Sequence, residues 1–180
     1  MFKNRENCYL RAFEPDDYKT THKWRTDPDM LKLLVGNIFY VSSEREKKWV
    51  EEKIFDDTKE IYWAICDNKT NEMVGFTSIR QIDYRNRNVE WGGMTIGKEF
   101  WSKGYAMAAN ALVLKFVFEE LGFNRIYTSY LDEHEVSTAI FEKMGFTIEG
   151  VSREEVYKGG KFHNVVKVSL LKSEYDAKLK

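Results

Sequence analysis

Between residues 89 and 131 the hydrophobic period of the chain changes twice, and this feature constrains the fold more than any other. VEWGGMTIG (89–97) has the composition of a strand. From Gly104 to Glu120 the apolar residues recur at helical spacing on one face, and RIYTSYL (125–131) then reads as a buried strand. A strand, a helix and a second strand in this order predict a crossover connection.

The remaining elements surround this crossover. Strands are predicted over 8–13, 60–67 and 72–83 and on both sides of Gly159-Gly160, which is a two-residue hairpin signal. Helices are predicted in EPDDYKTTHKWRTD, in SSEREKKWVEEKIF, where Ser43 and Glu46 have capping-box spacing, and in EVSTAIFEKMGF, which ends at Gly145. This order predicts an α/β (mixed α+β) fold with a mixed sheet flanked by helices.

Composition narrows the class of protein. The 180 residues, 43% hydrophobic and 15% aromatic, suffice for one domain over 1–180, and a net charge of −1 gives no basic field for nucleic acid or membrane. Two cysteines and three scattered histidines indicate neither a disulfide framework nor a metal site. The first residues lack the apolar core of a secretory signal, so we expect a cytoplasmic protein.

The junction IGKEFWSKGYAMAA (96–109) opens the backbone where a strand passes into a helix. Free N–H groups and the helix dipole make such a junction an anion site, and Gly104 would let a diphosphate approach closely. Lys98 and Lys103 would add long-range attraction. Neither GxxxxGK[ST] nor GxGxxG is present, which disfavours nucleotide hydrolases and dinucleotide-binding enzymes. The alternative, a glycine that only makes a turn, is left open.

Two ordered motifs about 30 residues apart, the WSKGYA loop and the later FEKMGF helix end, resemble those of the GNAT (general N-acetyltransferase) superfamily. With LRAFEPDDY, WRTDPDM and the closing strands, the resemblance covers nearly the whole chain and is strongest to the ribosomal-protein N-terminal acetyltransferase-like and nucleotide amino-sugar N-acetyltransferase branches. It implies a mostly antiparallel central sheet with helices on both faces. It also implies transfer of an acetyl group from acetyl-CoA, without a metal, by direct attack of a primary amine.

The resemblance assigns residues to acetyl-CoA. Amides around Met94, Thr95 and Ile96 would bind the pantetheine arm and polarise the thioester carbonyl. The diphosphate would lie on the loop that contains Trp101, Ser102, Lys103, Gly104, Tyr105 and Ala106. Trp101 stands where the loop pattern has Gln or Arg, so backbone amides must carry the contact. His134 replaces an asparagine that touches pantetheine, and Phe141 replaces a tyrosine that reprotonates the thiolate.

Two side chains are candidates for proton transfer. A lysine-like amine with a pKa near 10.4 is protonated at neutral pH, so the reaction needs a proton acceptor. Glu90 alternates away from Val89 and Trp91 and is the first candidate, directly or through water. Ser137, one turn before Phe141, would protonate the leaving thiolate. An ordinary strand carboxylate and an ordinary helix-surface serine remain the alternatives.

The sequence leaves the acceptor open. Phe39 and Tyr40, between the first two helices, and Trp91, as core or pocket wall, are candidates for the acceptor pocket. A small amine such as a nucleotide-linked amino sugar is the first expectation, and a ribosomal or other protein amino terminus, polyamines and antibiotics are alternatives. A non-catalytic acyl-CoA-binding domain is the alternative of another class. A homodimer through the tail strands is compatible with the sequence but not required by it.

Overall fold

A computed structural model describes residues 7–36, 40–56 and 58–179 as seven strands in one sheet, with helices on both faces. The sheet has the spatial order β1-β2-β3-β4-β5-β7-β6. The strands are β1 (Cys8–Ala12), β2 (Ile61–Asp67), β3 (Met73–Asp83), β4 (Asn88–Ile96), β5 (Arg125–Leu131), β6 (Thr147–Lys158) and β7 (Lys161–Leu171). The predicted α/β fold class is confirmed.

Six α-helices accompany the sheet in the described part of the chain. They are α1 (Tyr18–Arg25), α2 (Pro28–Lys32), α3 (Ser43–Phe55), α4 (Tyr105–Lys115), α5 (Glu135–Met144) and α6 (Lys172–Leu179). A 3-10 turn precedes α1 and another precedes α4, which continues as a short π-helical segment. Within the described residues, no helix has both the length and the apolar character that crossing a membrane would require.

Three local predictions need correction. Ser42, rather than Ser43, is the N-cap of α3, because its hydroxyl accepts from the Arg45 N–H at 3.2 Å. The short helix α2 was not predicted, although Asp27 caps it by accepting from two N–H groups and Pro28 occupies its first turn. No element was predicted after Leu171, where α6 follows.

The strand pairing divides the sheet at β4 and β5. β1 to β4 pair antiparallel with their neighbours, and so do β5, β7 and β6. Between β4 and β5 the pairing is parallel and joins only Asn88 with Arg125, Val89 with Ile126, and Glu90 with Tyr127. The predicted crossover is therefore present, and α4 makes it.

The two faces of the sheet bury separate apolar clusters. α4, α5 and α6 cover one face, where Val113, Leu114 and Val117 pack with Ile126 and Val168. α1, α2 and α3 cover the other face only over the first strands. That second cluster contains Phe13, Trp24, Met30, Val50, Ala64, Cys66 and Met73. The same face of β3 to β5 therefore keeps half-exposed polar side chains near the middle of the sheet.

Candidate active site

β4 and β5 part immediately after Glu90. Pairing ends at Glu90 and Tyr127, and the Thr128 hydroxyl donates to the Trp91 carbonyl at 2.9 Å at the point of separation. The register between β3 and β4 shifts by one residue around Gly92 and Gly93, and Gly93 has φ +88°. The glycine pair therefore forms a β-bulge, a feature that glycine within a strand often marks.

Within the part of the chain that the structure describes, the parting leaves one edge of β4 without a strand partner over its last residues. Met94, Thr95 and Ile96 still pair with β3 on their other side, so the segment stays extended. Its remaining main-chain groups face the gap that opens toward β5. An extended chain with amide and carbonyl groups, such as pantetheine, fits an unpaired strand edge of this kind.

The loop before α4 contains two residues with positive φ. Gly104 is the N-cap of α4 with φ +86° and ψ 0°, a conformation that favours glycine, and Ser102 also has positive φ at +61°. The first N–H groups of an α-helix have no acceptor within the helix. A left-handed residue directly before them leaves a concave surface without a side chain, which suits a phosphate group.

Two contacts anchor this loop to the sheet. The Tyr105 hydroxyl donates to Asp67 Oδ2 at 2.5 Å, and Asn7 Nδ2 donates to the Lys103 carbonyl at 3.2 Å. The hydrogen bond between Tyr105 and Asp67 raises the pKa of Tyr105 to about 12. Together with backbone donors, it lowers the pKa of Asp67 to about 2. The tyrosine therefore stays protonated and fixes the first turn of α4 at neutral pH.

The side chains around the loop differ from what the sequence predicted. The Lys98 ammonium lies 2.8 Å from Asp27 and 2.7 Å from Asp29, so this charge is neutralised within the protein. It ties α2 to the loop rather than attracting a diphosphate. The Trp101 indole donates to the Ile96 carbonyl at 2.7 Å, at the end of the open β4 edge. The Lys103 ammonium lies 5.3 Å from the centre of the Phe100 ring.

Glu90 lies on the sheet face opposite the α4 core. Its neighbours Val89 and Trp91 are buried on the core side, whereas its carboxylate is partly exposed and accepts from Arg80 Nη2 at 2.9 Å. Tyr127 stands directly opposite on β5. A carboxylate at the point where the strands part, beside the gap, is placed to receive a proton from an amine bound on this face.

The structure corrects the prediction for Trp91. The side chain is 3% exposed, its indole donates to Thr77 Oγ1 at 2.9 Å, and its ring contacts those of Phe141 and Phe146. Strand alternation turns it away from the Glu90 face. We therefore regard Trp91 as a core residue that does not contact the acceptor.

His134 and Ser137 lie together at the start of α5. His134 is the N-cap, and its Nδ1 accepts from the Ser137 N–H at 2.9 Å, so the neutral ring carries its proton on Nε2. Phe141, one turn after Ser137, stacks on Tyr130 with ring centres 5.3 Å apart. The Ser137 hydroxyl thus remains a candidate donor near a phenyl ring that cannot donate.

The cap at His134 predicts acid sensitivity of α5. Burial lowers the pKa of His134, so its neutral, capping form contributes stability above about pH 6.5, the unfolded value, and that contribution is lost as pH falls through the folded pKa. His134→Asn keeps a capping acceptor that does not titrate. We expect the melting temperature of the wild type to fall more than that of the variant between pH 7 and pH 5. If the melting temperatures of the two proteins fall by the same amount across this pH range, the histidine does not have this role.

The predicted acceptor residues are only partly described. Tyr40 is fully exposed at the start of the segment that leads into α3. Phe39 lies outside the described residues. The role of both residues in acceptor binding stays a prediction.

Sequence reasoning missed three residues around Glu90. Arg80 and Ser78 on β3 and Tyr127 on β5 lie on the same face as the carboxylate. Alternation in GFTSIRQID places Ser78 and Arg80 opposite to Ile79, and this signal was available. Their meeting with Glu90 depends on the strand register, including the bulge, which the sequence does not reveal.

A mostly antiparallel sheet that opens between two parallel strands, beside a glycine-capped helix, is the arrangement that the resemblance to N-acetyltransferases implied. A family model described as Acetyltransferase (GNAT) domain matches residues 7–147. The chain belongs to the GNAT acetyltransferase family and is an N-acetyltransferase by this membership.

Known proteins of this class resemble the chain over almost its full length. It is 37% identical to "Putative ribosomal N-acetyltransferase YdaF" of Bacillus subtilis (strain 168), with 97% of this chain and 96% of the relative covered. It is 23% identical to spermidine N(1)-acetyltransferase of Escherichia coli (strain K12), with 95% and 89% covered. The crystal structure of spermidine N-acetyltransferase from Vibrio cholerae in complex with CoA and spermine superimposes with a TM-score of 0.87 at 23% identity, covering 95% and 99%.

Proposed function

We propose that this N-acetyltransferase uses acetyl-CoA to acetylate the amino terminus of a polypeptide. The observation that carries the acyl transfer is the parting of β4 and β5 beside Glu90, which puts an open strand edge and a carboxylate at one place. The relative with 37% identity, named for ribosomal N-acetylation, supports a protein acceptor. The partly exposed Glu90 face would admit a chain end.

In this proposal the loop, the strand edge and two side chains divide the work of the reaction. The amides of Ser102 to Ala106 hold the diphosphate, and those of Met94 to Ile96 bind the pantetheine arm and stabilise the oxyanion of the attacked carbonyl. Glu90 accepts the proton of the amine. Ser137 donates a proton to the departing thiolate and regains one from water, and the thiolate pKa near 8.5 makes this assistance modest.

The chemistry of the amine favours an amino terminus. An α-amino group has a pKa of about 7.7 to 8.0, so freeing its lone pair at pH 7 costs about 1 kcal/mol, against roughly 4 to 5 kcal/mol for an amine near 10.4. A single carboxylate is sufficient to accept the proton of an α-amino group. Nucleotide-linked amino sugars, expected first from the sequence, remain a prediction, and polyamines are the acceptors named for the spermidine enzymes.

The test is release of free thiol from acetyl-CoA with separate acceptors. Short peptides with free amino termini, the same peptides with blocked termini, nucleotide amino sugars, spermidine and aminoglycosides are assayed in parallel. We expect turnover with free peptides and none with blocked ones, and mass spectrometry should place the acetyl group on the terminal nitrogen. Turnover with another acceptor class alone would reject the proposal, and acetyl-CoA binding without any turnover would favour a binding domain.

A further inference from the structure

Among the described residues, the open face beside the strand gap carries several ion pairs, three of which surround Tyr62 and Tyr127. These three are Lys53 with Glu60, Arg80 with Glu90 at 2.9 Å, and Arg125 with Glu149 at 2.6 Å. The Arg125 guanidinium lies 4.6 Å from the centre of the Tyr127 ring, and Tyr127 stands opposite Glu90. Each of these three carboxylates is therefore matched by a basic side chain.

The charged side chains of these ion pairs lie around two tyrosines, Tyr127 and Tyr62. Burial first, and then the Glu90 carboxylate, raise the pKa of Tyr127, while Arg125 and Arg80 oppose the increase. Tyr62 stands opposite Ser78, two residues from Arg80, and the Lys53 ammonium lies 5.4 Å from its ring centre. An acceptor on this face would meet a nearly neutral surface rather than an acidic one.

Arg80 is fitted closely to the strand that carries Glu90. A Cβ atom on Gly92 would lie 2.9 Å from Arg80 Nε and 2.1 Å from Ser78 Oγ, so only glycine leaves room for the arginine there. Arg80 Nε is enclosed and has no hydrogen-bond partner among the described residues. The guanidinium is thus held against β4 by shape, with its Nη2 on Glu90.

We infer that Arg80 sets the charge class of the acceptor: by neutralising Glu90 where the strands part, it admits amines with one positive charge and excludes polyamines. This inference rests on the proposed function and deepens it. Several ammonium groups that leave water need carboxylates that are not already paired. Here the nearest carboxylate is paired, and the guanidinium repels a second ammonium.

The test compares Arg80→Gln with Arg80→Lys, which keeps the charge, and with Lys19→Gln, which removes one charge from an exposed pair on α1. The kcat/KM for spermidine and for a peptide is measured for each, and spermidine binding is followed by calorimetry without acetyl-CoA. We expect Arg80→Gln to raise the spermidine-to-peptide ratio at least about tenfold and to tighten spermidine binding by a similar factor. In both controls the spermidine-to-peptide ratio of kcat/KM should stay within about twofold of the wild-type ratio.

The outcomes separate this inference from the proposed function. If the wild type acetylates peptides and Arg80→Gln leaves both the ratio and spermidine binding unchanged, the inference is wrong and the function stands. An equal loss with both acceptors and no gain in binding would mean that Arg80 is only structural. A wild type that prefers spermidine overturns both.

Discussion

Gly104→Glu weakens acetyl-CoA binding by at least about 100-fold in our expectation, equivalent to roughly 2.7 kcal/mol. Two effects add. The position has φ +86°, where a side chain costs about 1 kcal/mol of strain. The new carboxylate also stands at the helix end where the diphosphate would bind, and two like charges about 4 Å apart near a surface repel by about 4 kcal/mol. Calorimetric titration with acetyl-CoA measures the change.

Gly122→Glu is the matched control. Gly122 also has positive φ, at +65°, and open space around its missing side chain, but it follows the far end of the helical segment. We expect a similar loss of stability with unchanged acetyl-CoA affinity. If Gly104→Glu binds acetyl-CoA as the wild type does, the diphosphate does not lie on this loop.

Glu90→Gln should lower kcat/KM by about 10² to 10³, within the range that general base catalysis contributes. The amide has the same shape and still accepts from Arg80, so the change removes proton acceptance with little effect on packing. The deficit should shrink as pH rises toward the pKa of the acceptor amine, because the neutral amine is then already present. Thiol release across pH 6.5 to 9.5 with one peptide measures this.

Glu51→Gln, on the exposed side of α3, controls for loss of one negative charge. Its activity should match that of the wild type at every pH. Wild-type activity in Glu90→Gln would remove Glu90 from the mechanism. A deficit that does not change with pH would assign it to positioning of the acceptor instead.

The sequence could predict those parts of the site that backbone conformation dictates. Gly145 has φ +83° where α5 ends, as a left-handed C-cap needs, Gly104 has φ +86° in the loop before α4, and Gly93 has φ +88° in the bulge. Glycine adopts positive φ more easily than other residues, so a glycine at a turn or helix end can be interpreted from its sequence neighbours alone. The crossover followed from a change of period, which is also local.

The charge pairs could not be predicted in the same way. Lys98 meets Asp27 and Asp29, and Arg80 meets Glu90, through register and helix docking that no local pattern records. α6 was missed because it is mostly polar and buries one aromatic side chain, Tyr175. Trp91 could be given only as core or pocket wall, because alternation gives two faces but does not show where a helix covers them.

The short parallel contact between β4 and β5 has a consequence for how such a chain can be recombined. Except for three residue pairs, each strand pairing joins strands from one continuous stretch, 8–96 or 125–171. α4 and its loop lie between the two stretches. A chimera with a relative, joined within this connecting segment, would keep almost all of its strand hydrogen bonds native. Parental halves could therefore be exchanged as units, so that the side of the open face with Arg80 and Glu90 and the side with Arg125 and Tyr127 vary separately.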